Sequence, residues 1–320
     1  IPSSCCGLFG LKPSRGRTPP GPHASENWTG MAIEHVLTRS VRDSAAMLDA
    51  THGPIVGAPY HVREPERPFL DEVGADPGRL KIGFHAEPAF PVTVHRDCKG
   101  AVEDAAALCR ELGHDVEAVD PEHPRDAIAD AFMKVVSCNI AAEIAHAETR
   151  LGRESEPGDW QPTTLLSAML GRSISGADFV IARHRLEDET RRLAERFSDY
   201  DVILTPTLGK PPIVLGALHA KGIEAGIQNL VVQTKLKQLT LLPGALDAAV
   251  QRVYGFIPFT PVANFAGLPS MSVPLHWNGE GLPIGTMFTA ALGDEAVLLR
   301  LAAQLETARP WKNKRPPMFQ

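Results

Sequence analysis

Residues 80–119 read LKIGFHAEPAFPVTVHRDCKGAVEDAAALCRELGHDVEAV. Leu80 to Phe84 is a short apolar run bounded by a Pro-rich stretch, which predicts a strand. Val102, Ala105, Cys109 and Leu112 recur at three- and four-residue spacing and place one apolar face on a helix that Gly113 closes. Val116 to Val119 predicts the next strand, so the segment is a β-α-β unit.

The same alternation extends outward. Upstream, Val41, Ala45 and Leu48 share a helical face that begins near Thr38 and ends at Gly53 and Pro54. Downstream, a helix is predicted over Asp126 to Leu151, with Ala131, Val135, Cys138, Ala142 and Ala145 on one side, and a short one near Thr163 to Leu170. Ser175 with Asp178 three residues on is a capping-box start, and Phe179, Ala182, Leu186, Leu193 and Phe197 hold one face down to Ser198. Val202 to Leu204 predicts a buried strand that stops at Thr205-Pro206-Thr207. Ser270 to Val273 and Pro283 to Phe288 predict two more strands, and Glu295 to Leu305 a final amphipathic helix. Residues 1–30, rich in Gly, Pro and Ser, are expected to be irregular backbone, residues 54–78 a long surface connection, and residues 209–243 carry no predicted element. No period of 20 to 50 residues repeats, which excludes a solenoid. Strands alternating with helices predict an α/β layer fold, read as one domain over 1–320 with a mixed sheet surrounded by helices.

The chain has 320 residues, with 32 Lys+Arg against 38 Asp+Glu and a formal charge of −6. Without a basic block it carries no electrostatic footprint for nucleic acid or an anionic membrane, so neither partner is expected. The long uncharged stretch from Val253 to Gly279 is interrupted by Pro258, Pro261, Pro269 and Pro274, and is read as buried loops, short strands and turns rather than a membrane span. Five cysteines, an odd count in a chain too long to need staples, point to free thiols in a reducing, cytoplasmic compartment. The vicinal pair Cys5-Cys6 lacks C-x-x-C spacing and is read as packing. His95, Cys98, Cys109 and His114 mimic a metal set, but Cys98 and Cys109 lie eleven residues apart on one predicted helix, about 16 Å along its axis. One zinc holds its ligands at about 2.0–2.3 Å, so no metal is expected there, and the two histidines are read as surface residues. No G-x-S-x-G elbow, H-E-x-x-H pair, Walker loop or G-x-G-x-x-G turn occurs, and no cofactor is expected.

One opening stretch stands out: IPSSCCGLFGLKPSRGR over residues 1–17. It resembles the tail of the amidase signature, in which a Gly-Gly-Ser-Ile-Arg run precedes a small-residue loop, G-L-x-G-L-K-P and a G-R pair. Three further blocks agree in order. Leu37 through Asp49 resembles the family's T-R-S-V-x-D helix, and Asp201 through Thr207 its D-x-x-L-x-P-T strand and loop. Phe259-Thr260-Pro261, Asn264, Gly267-Leu268-Pro269, Ser272-Val273-Pro274 and Gly281 to Gly285 resemble its C-terminal block. Within the family, Cys5 to Phe9 and Val273 to Asn278 are most similar to the subgroup that opens the cyclic dimer of 6-aminohexanoate.

The resemblance implies the amidase signature fold and a hydrolase of small amides that works through a serine nucleophile, a cis serine that relays its proton, and a neutral lysine as general base and then acid. All three would lie upstream of Ile1, so the chain is expected to be the N-terminally truncated, catalytically silent part of such an enzyme. Its contribution would be the substrate pocket. Pro206 and Thr207, at the end of a buried strand, are candidates because α/β folds place ligand contacts there, although a Pro-rigidified turn would look the same. Cys138 and Asn139 are candidates because the resemblance puts their helix beside the acyl site; a core cysteine is the simpler reading of Cys138. Asn264 is read mainly as a buried amide serving loop backbone, and Phe259 as aromatic core or cavity wall. The expected partner is a small-molecule amide, with a homodimer left open. Two other readings also remain open: the amidase subunit of a tRNA-dependent amidotransferase, and a non-catalytic module that binds small amides.

Overall fold

A computed structural model describes residues 1–220 apart from 22, 23, 25, 55 and 157, together with 222, 226, 251 and 254–316. Its frame is a seven-stranded mixed sheet in the order β2-β1-β6-β7-β5-β3-β4. The strands are β1 (Phe9–Lys12), β2 (Leu37–Thr38), β3 (Lys81–Phe84), β4 (Asp115–Ala118), β5 (Val202–Pro206), β6 (Ser270–Trp277) and β7 (Pro283–Ala290). Strand β3 pairs parallel to both β4 and β5, and the other pairings are antiparallel. The predicted β-α-β unit is therefore a parallel pair crossed by a helix, as the covalent reach of such a connection requires.

Among the described residues the helices are α1 (Pro2–Cys6), α2 (Val41–Thr51), α3 (Phe69–Glu72), α4 (Arg96–Glu111), α5 (Arg125–Leu151), α6 (Pro162–Gly171), α7 (Gly176–Arg196), α8 (Thr260–Ala266) and α9 (Glu295–Ala308). The expected cap at the start of α7 is present in its N-cap half: the Asp178 N–H donates to Ser175 Oγ at 3.0 Å, and the Asp178 carboxylate accepts from the Ser175 hydroxyl at 2.6 Å rather than from its backbone N–H. None of the single described helices is long and apolar enough to cross a membrane.

Strand alternation gives the sheet two chemically different faces. Leu11, Met271, Val273, Val202, Leu204 and Phe288 point one way, into a core completed by α2, α4, α9 and Trp311. A second apolar cluster, separate from the first, joins α5, α7 and α8 through Phe132, Val135, Ala182, Leu186 and Phe265. It lies on the other side of the sheet, where the strands present hydroxyls and glycines together with Ile203 and Met287.

Several expectations need correction. Residues 1–30 are not wholly irregular: Pro2 sits in the first turn of α1, Gly7 ends it at φ 63°, and β1 follows. A five-residue helix is too short to show periodicity. The proline-rich stretch after residue 253 contains α8, with Pro261 in its first turn, where a missing N–H costs nothing, and Gly267 at φ 73° closing it. Pro261, one of the prolines that argue against a membrane span, starts a helix. Strand β5 runs on through Pro206, which pairs with Thr286 beyond the last β3 partner, so its absent N–H breaks no ladder on that side. His114 is buried rather than at the surface; its Nδ1 accepts from the Leu80 N–H at 3.2 Å and its Nε2 lies 2.8 Å from Gln304. Cys98 and Cys109 are buried in different clusters, and among the described residues no three His, Cys, Asp or Glu side chains are placed to hold a metal. Residues 221–243 lie, but for 222 and 226, outside the described residues.

Candidate functional site

The face of β5, β6 and β7 turned away from the main core carries Thr205, Ser270, Ser272 and Thr289, and Thr207 continues it past the end of β5. Pairing sets this arrangement: Thr205 opposes Met287, Ser272 opposes the same Met287, and Ser270 opposes Thr289. Opposed residues on neighbouring strands share a face. Buried hydroxyls must be paired, and four of these pair with one another: Thr207 Oγ1 lies 2.9 Å from Ser272 Oγ, and Ser270 Oγ 2.7 Å from Thr289 Oγ1, while Thr205 Oγ1 donates to the Pro206 carbonyl at 3.2 Å.

Helix α1 docks on the end of this face. Ser4 Oγ accepts the Gly285 N–H at 2.9 Å, and the Thr207 N–H donates to the Gly285 carbonyl at 3.2 Å. Gly285 has to be glycine. A Cβ there would stand 2.6 Å from both Ser4 Oγ and Ser272 Oγ. Gly10 on β1 makes the same allowance for Ser3, whose Oγ would be 2.6 Å from its Cβ. Small residues on the strands thus let the serines of α1 approach the sheet closely.

Beside this patch, α7 and α8 enclose a cavity of about 50 Å3 against Ile203, Thr205, Met287 and Thr289. Phe259, 3 % exposed, lines it together with Val262 and Ala263 of α8. Its polar end holds His85 and His123, which follow the carboxyl ends of β3 and β4. His123 Nδ1 is 2.8 Å from Glu189 Oε1, and both side chains are 4 % exposed. Burial, reinforced by the charge His123 can carry, pushes His85 down to about 3, so its ring is neutral at physiological pH.

The six residues predicted from sequence divide among five places. Phe259 is in the cavity wall, Thr207 is in the hydroxyl patch, and Pro206 is in the β5 ladder beside it. Asn139 and Asn264 converge on one loop: Asn139 Nδ2 donates to Thr29 Oγ1 at 3.0 Å and Asn264 Nδ2 to the Met31 carbonyl at 2.7 Å. The reading of Asn264 as an amide serving loop backbone agrees with that bond. Trp28, Thr29 and Gly30 are consecutive left-handed residues at φ 49°, 57° and 74°, a run that needs such tethers. Arg15 adds one more, from Nε to the Gly30 carbonyl at 2.6 Å, and ties it to α8 through Nη2, which donates to the Phe265 carbonyl at 2.6 Å. Cys138 is not with them. It turns toward α6, with Sγ 3.7 Å from the Gly171 carbonyl.

Sequence reasoning missed Ser4, Ser272, His85, His123 and Glu189. For Glu189 a signal was present: it stands three residues after Leu186 and four before Leu193, a carboxylate inside an otherwise apolar stripe.

The comparisons agree with this architecture. Over its whole length the chain is 32% identical to the 6-aminohexanoate-cyclic-dimer hydrolases of Pseudomonas sp. (strain NK87) and of Paenarthrobacter ureafaciens, and it spans 62% of each of those proteins. A solved structure of 6-aminohexanoate cyclic dimer hydrolase complexed with substrate superposes with a TM-score of 0.84 at 30% identity, covering all of this chain and 64% of that one. Residues 1–299 match the family described as Amidase, and the chain belongs to that family.

Proposed function

We propose that the polypeptide containing this chain hydrolyses a small amide, with a cyclic or linear aminohexanoate oligomer as its substrate class. The observation that carries this reading is the docking of α1, the motif-bearing helix, by Ser4 onto Gly285 at the end of the hydroxyl-bearing face. In this reading a serine, a cis serine and a lysine N-terminal to Ile1 supply the chemistry. The serine attacks the amide carbonyl, its proton passes through the cis serine to the neutral lysine, and the lysine returns a proton to the leaving amine. Backbone N–H groups of the Gly-rich segment hold the oxyanion, an interaction worth roughly 3–4 kcal/mol per donor in a comparable serine hydrolase. The present chain supplies the sheet that seats α1 and the walls around the substrate. Similarity along the whole chain to the two cyclic-dimer hydrolases supports the substrate class. Release of free amine from 6-aminohexanoate cyclic dimer by the longer polypeptide, with none from the 320-residue chain alone, is the expected result; turnover by the 320 residues alone would overturn the assignment of the nucleophile.

A further inference from the structure

Strands β4, β3 and β5 are parallel neighbours, and open α/β sheets bind ligands just beyond the carboxyl ends of such strands. In this chain those ends carry His123, His85 and Thr205, and all three line the cavity under α7 and α8. The polar groups there are arranged with one omission. Glu189 accepts from His123 Nδ1 and so fixes that ring's tautomer, while Glu189 itself stays outside the cavity wall, with Arg192 3.9 Å from its other oxygen. The His85 ring stands 6.0 Å from the His123 ring, edge to face, and its Nδ1 is buried without a hydrogen-bond partner. Native proteins rarely leave such an atom unsatisfied.

The charge of the wall selects what would satisfy it. Arg196 lines the cavity, its guanidinium held by the carbonyls of Asp120 and Pro121 at 2.7 and 2.6 Å, and among the described residues no carboxylate lines it. An ammonium placed there would face Arg196 without a counter-ion, and a plain hydrocarbon would leave His85 unpaired. The remainder of the wall, including Leu193, Phe197 and Met287, is apolar. About 50 Å3 accommodates about four waters, or a chain of about four or five carbons.

We propose that this cavity binds a short aliphatic carboxylate, with the alkyl chain against Leu193, Phe197 and Met287 and the head group at the His85, His123 and Arg196 end. The site is read by binding and does not depend on the hydrolytic reading. The probes are sodium pentanoate and pentylamine, which share an alkyl body and differ in head group, titrated calorimetrically into the longer polypeptide. Pentanoate is expected to bind at least tenfold more tightly than pentylamine, and His85→Leu to weaken pentanoate at least fivefold. In the unsubstituted protein, pentanoate is expected to shift the imidazole proton resonances of His85 and His123, a readout that stands even if His85→Leu fails to fold. Equal affinity for the two probes, absence of pentanoate binding, or histidine resonances that do not move would overturn the proposal.

Discussion

Arg17 and Glu295, 278 residues apart, meet as a fully buried ion pair: Arg17 Nη2 donates to Glu295 Oε2 at 3.0 Å, with side-chain exposures of 2 % and 0 %. The Ser14 N–H takes the other carboxylate oxygen at 2.8 Å, and Arg17 Nη1 donates to the Arg63 carbonyl at 2.8 Å. Burial alone would raise the Glu295 carboxyl, but Arg17 and Ser14 hold it below its ordinary value. Removing one partner leaves an uncompensated buried charge. Arg17→Met is expected to cost about 3–5 kcal/mol in urea unfolding, and the double variant Arg17→Met, Glu295→Met to recover a substantial part of it.

A second carboxylate, Glu72, sets an acid limit. Hydrogen bonds from Arg67 at 2.8 and 2.6 Å, and the additional contact with Arg300, hold it down to about 2, against the opposing effect of its burial. A folded pKa below the unfolded one gives stability that is present above the unfolded value and lost as pH falls from about 4.5 toward 2. Arg300→Met should therefore lower stability by roughly 2 kcal/mol at neutral pH, and the gap from the parent should close below about pH 2. Paired thermal melts across that range would measure the gap.

Lys12 behaves in the opposite sense. Its side chain stands on the hydroxyl-bearing face, since Lys12 opposes Ser270 across the β1–β6 pair, with Nζ donating to the Pro13 carbonyl at 2.8 Å. Burial, then the nearby Arg15 charge, lowers it to about 7, with Glu295 partly offsetting them. Because the folded state loses the proton at lower pH than the unfolded state, stability rises as pH increases from about 7 to 10.5. Lys12→Met should be more stable than the parent at pH 7, and the difference should vanish near pH 10.5 in parallel denaturant titrations.

Gly171 fixes how closely α6 approaches α5. A Cβ there would lie 2.0 Å from the Ser137 carbonyl oxygen and 2.9 Å from the Cys138 amide, both backbone atoms that cannot swing aside. Gly171→Ala should cost more than about 3 kcal/mol, read as a fall in Tm. Cys138→Leu in the longer polypeptide separates pocket from core: lost turnover with Tm kept within a few degrees is the outcome the pocket reading expects, and unchanged kinetics would leave Cys138 as packing.

Gly285→Ala tests the docking of α1. The added methyl displaces Ser4 or Ser272, both of which it would approach to 2.6 Å. Turnover in the longer polypeptide should fall at least tenfold, and by more than any change in KM, because the displaced helix is the one that follows the nucleophile in the proposed mechanism.

The long elements are legible in the sequence. Helices α4 and α7 repeat apolar residues over three or more turns, and local periodicity of that length reports which side of a helix is buried; in α5 the expected stripe holds at Ala131 and Val135 but not beyond, where Ala141 and Ile144 are buried and Ala142 and Ala145 are exposed. Helix α8 and strand β2 are not, because seven and two residues contain too few repeats to define a period, and a proline in the first turn of a helix reads locally like a proline in a loop. At the candidate site, Phe259 stands in the cavity wall and Thr207 in the hydroxyl patch, next to the strand ends on which the sequence expectation rested. The link from Asn139 and Asn264 to one left-handed loop could not be anticipated, since it joins residues 110 and 233 positions from their partners.

What the sequence by itself determined is the α/β class and the family, because periodicity and ordered motif blocks are properties of neighbouring residues. What only the tertiary structure decided is which face of the sheet is polar and what meets there. Strand register and crossovers place Ser4 on Gly285, Thr207 on Ser272, and His85 beside His123, and register depends on packing across the whole core rather than on any local stretch.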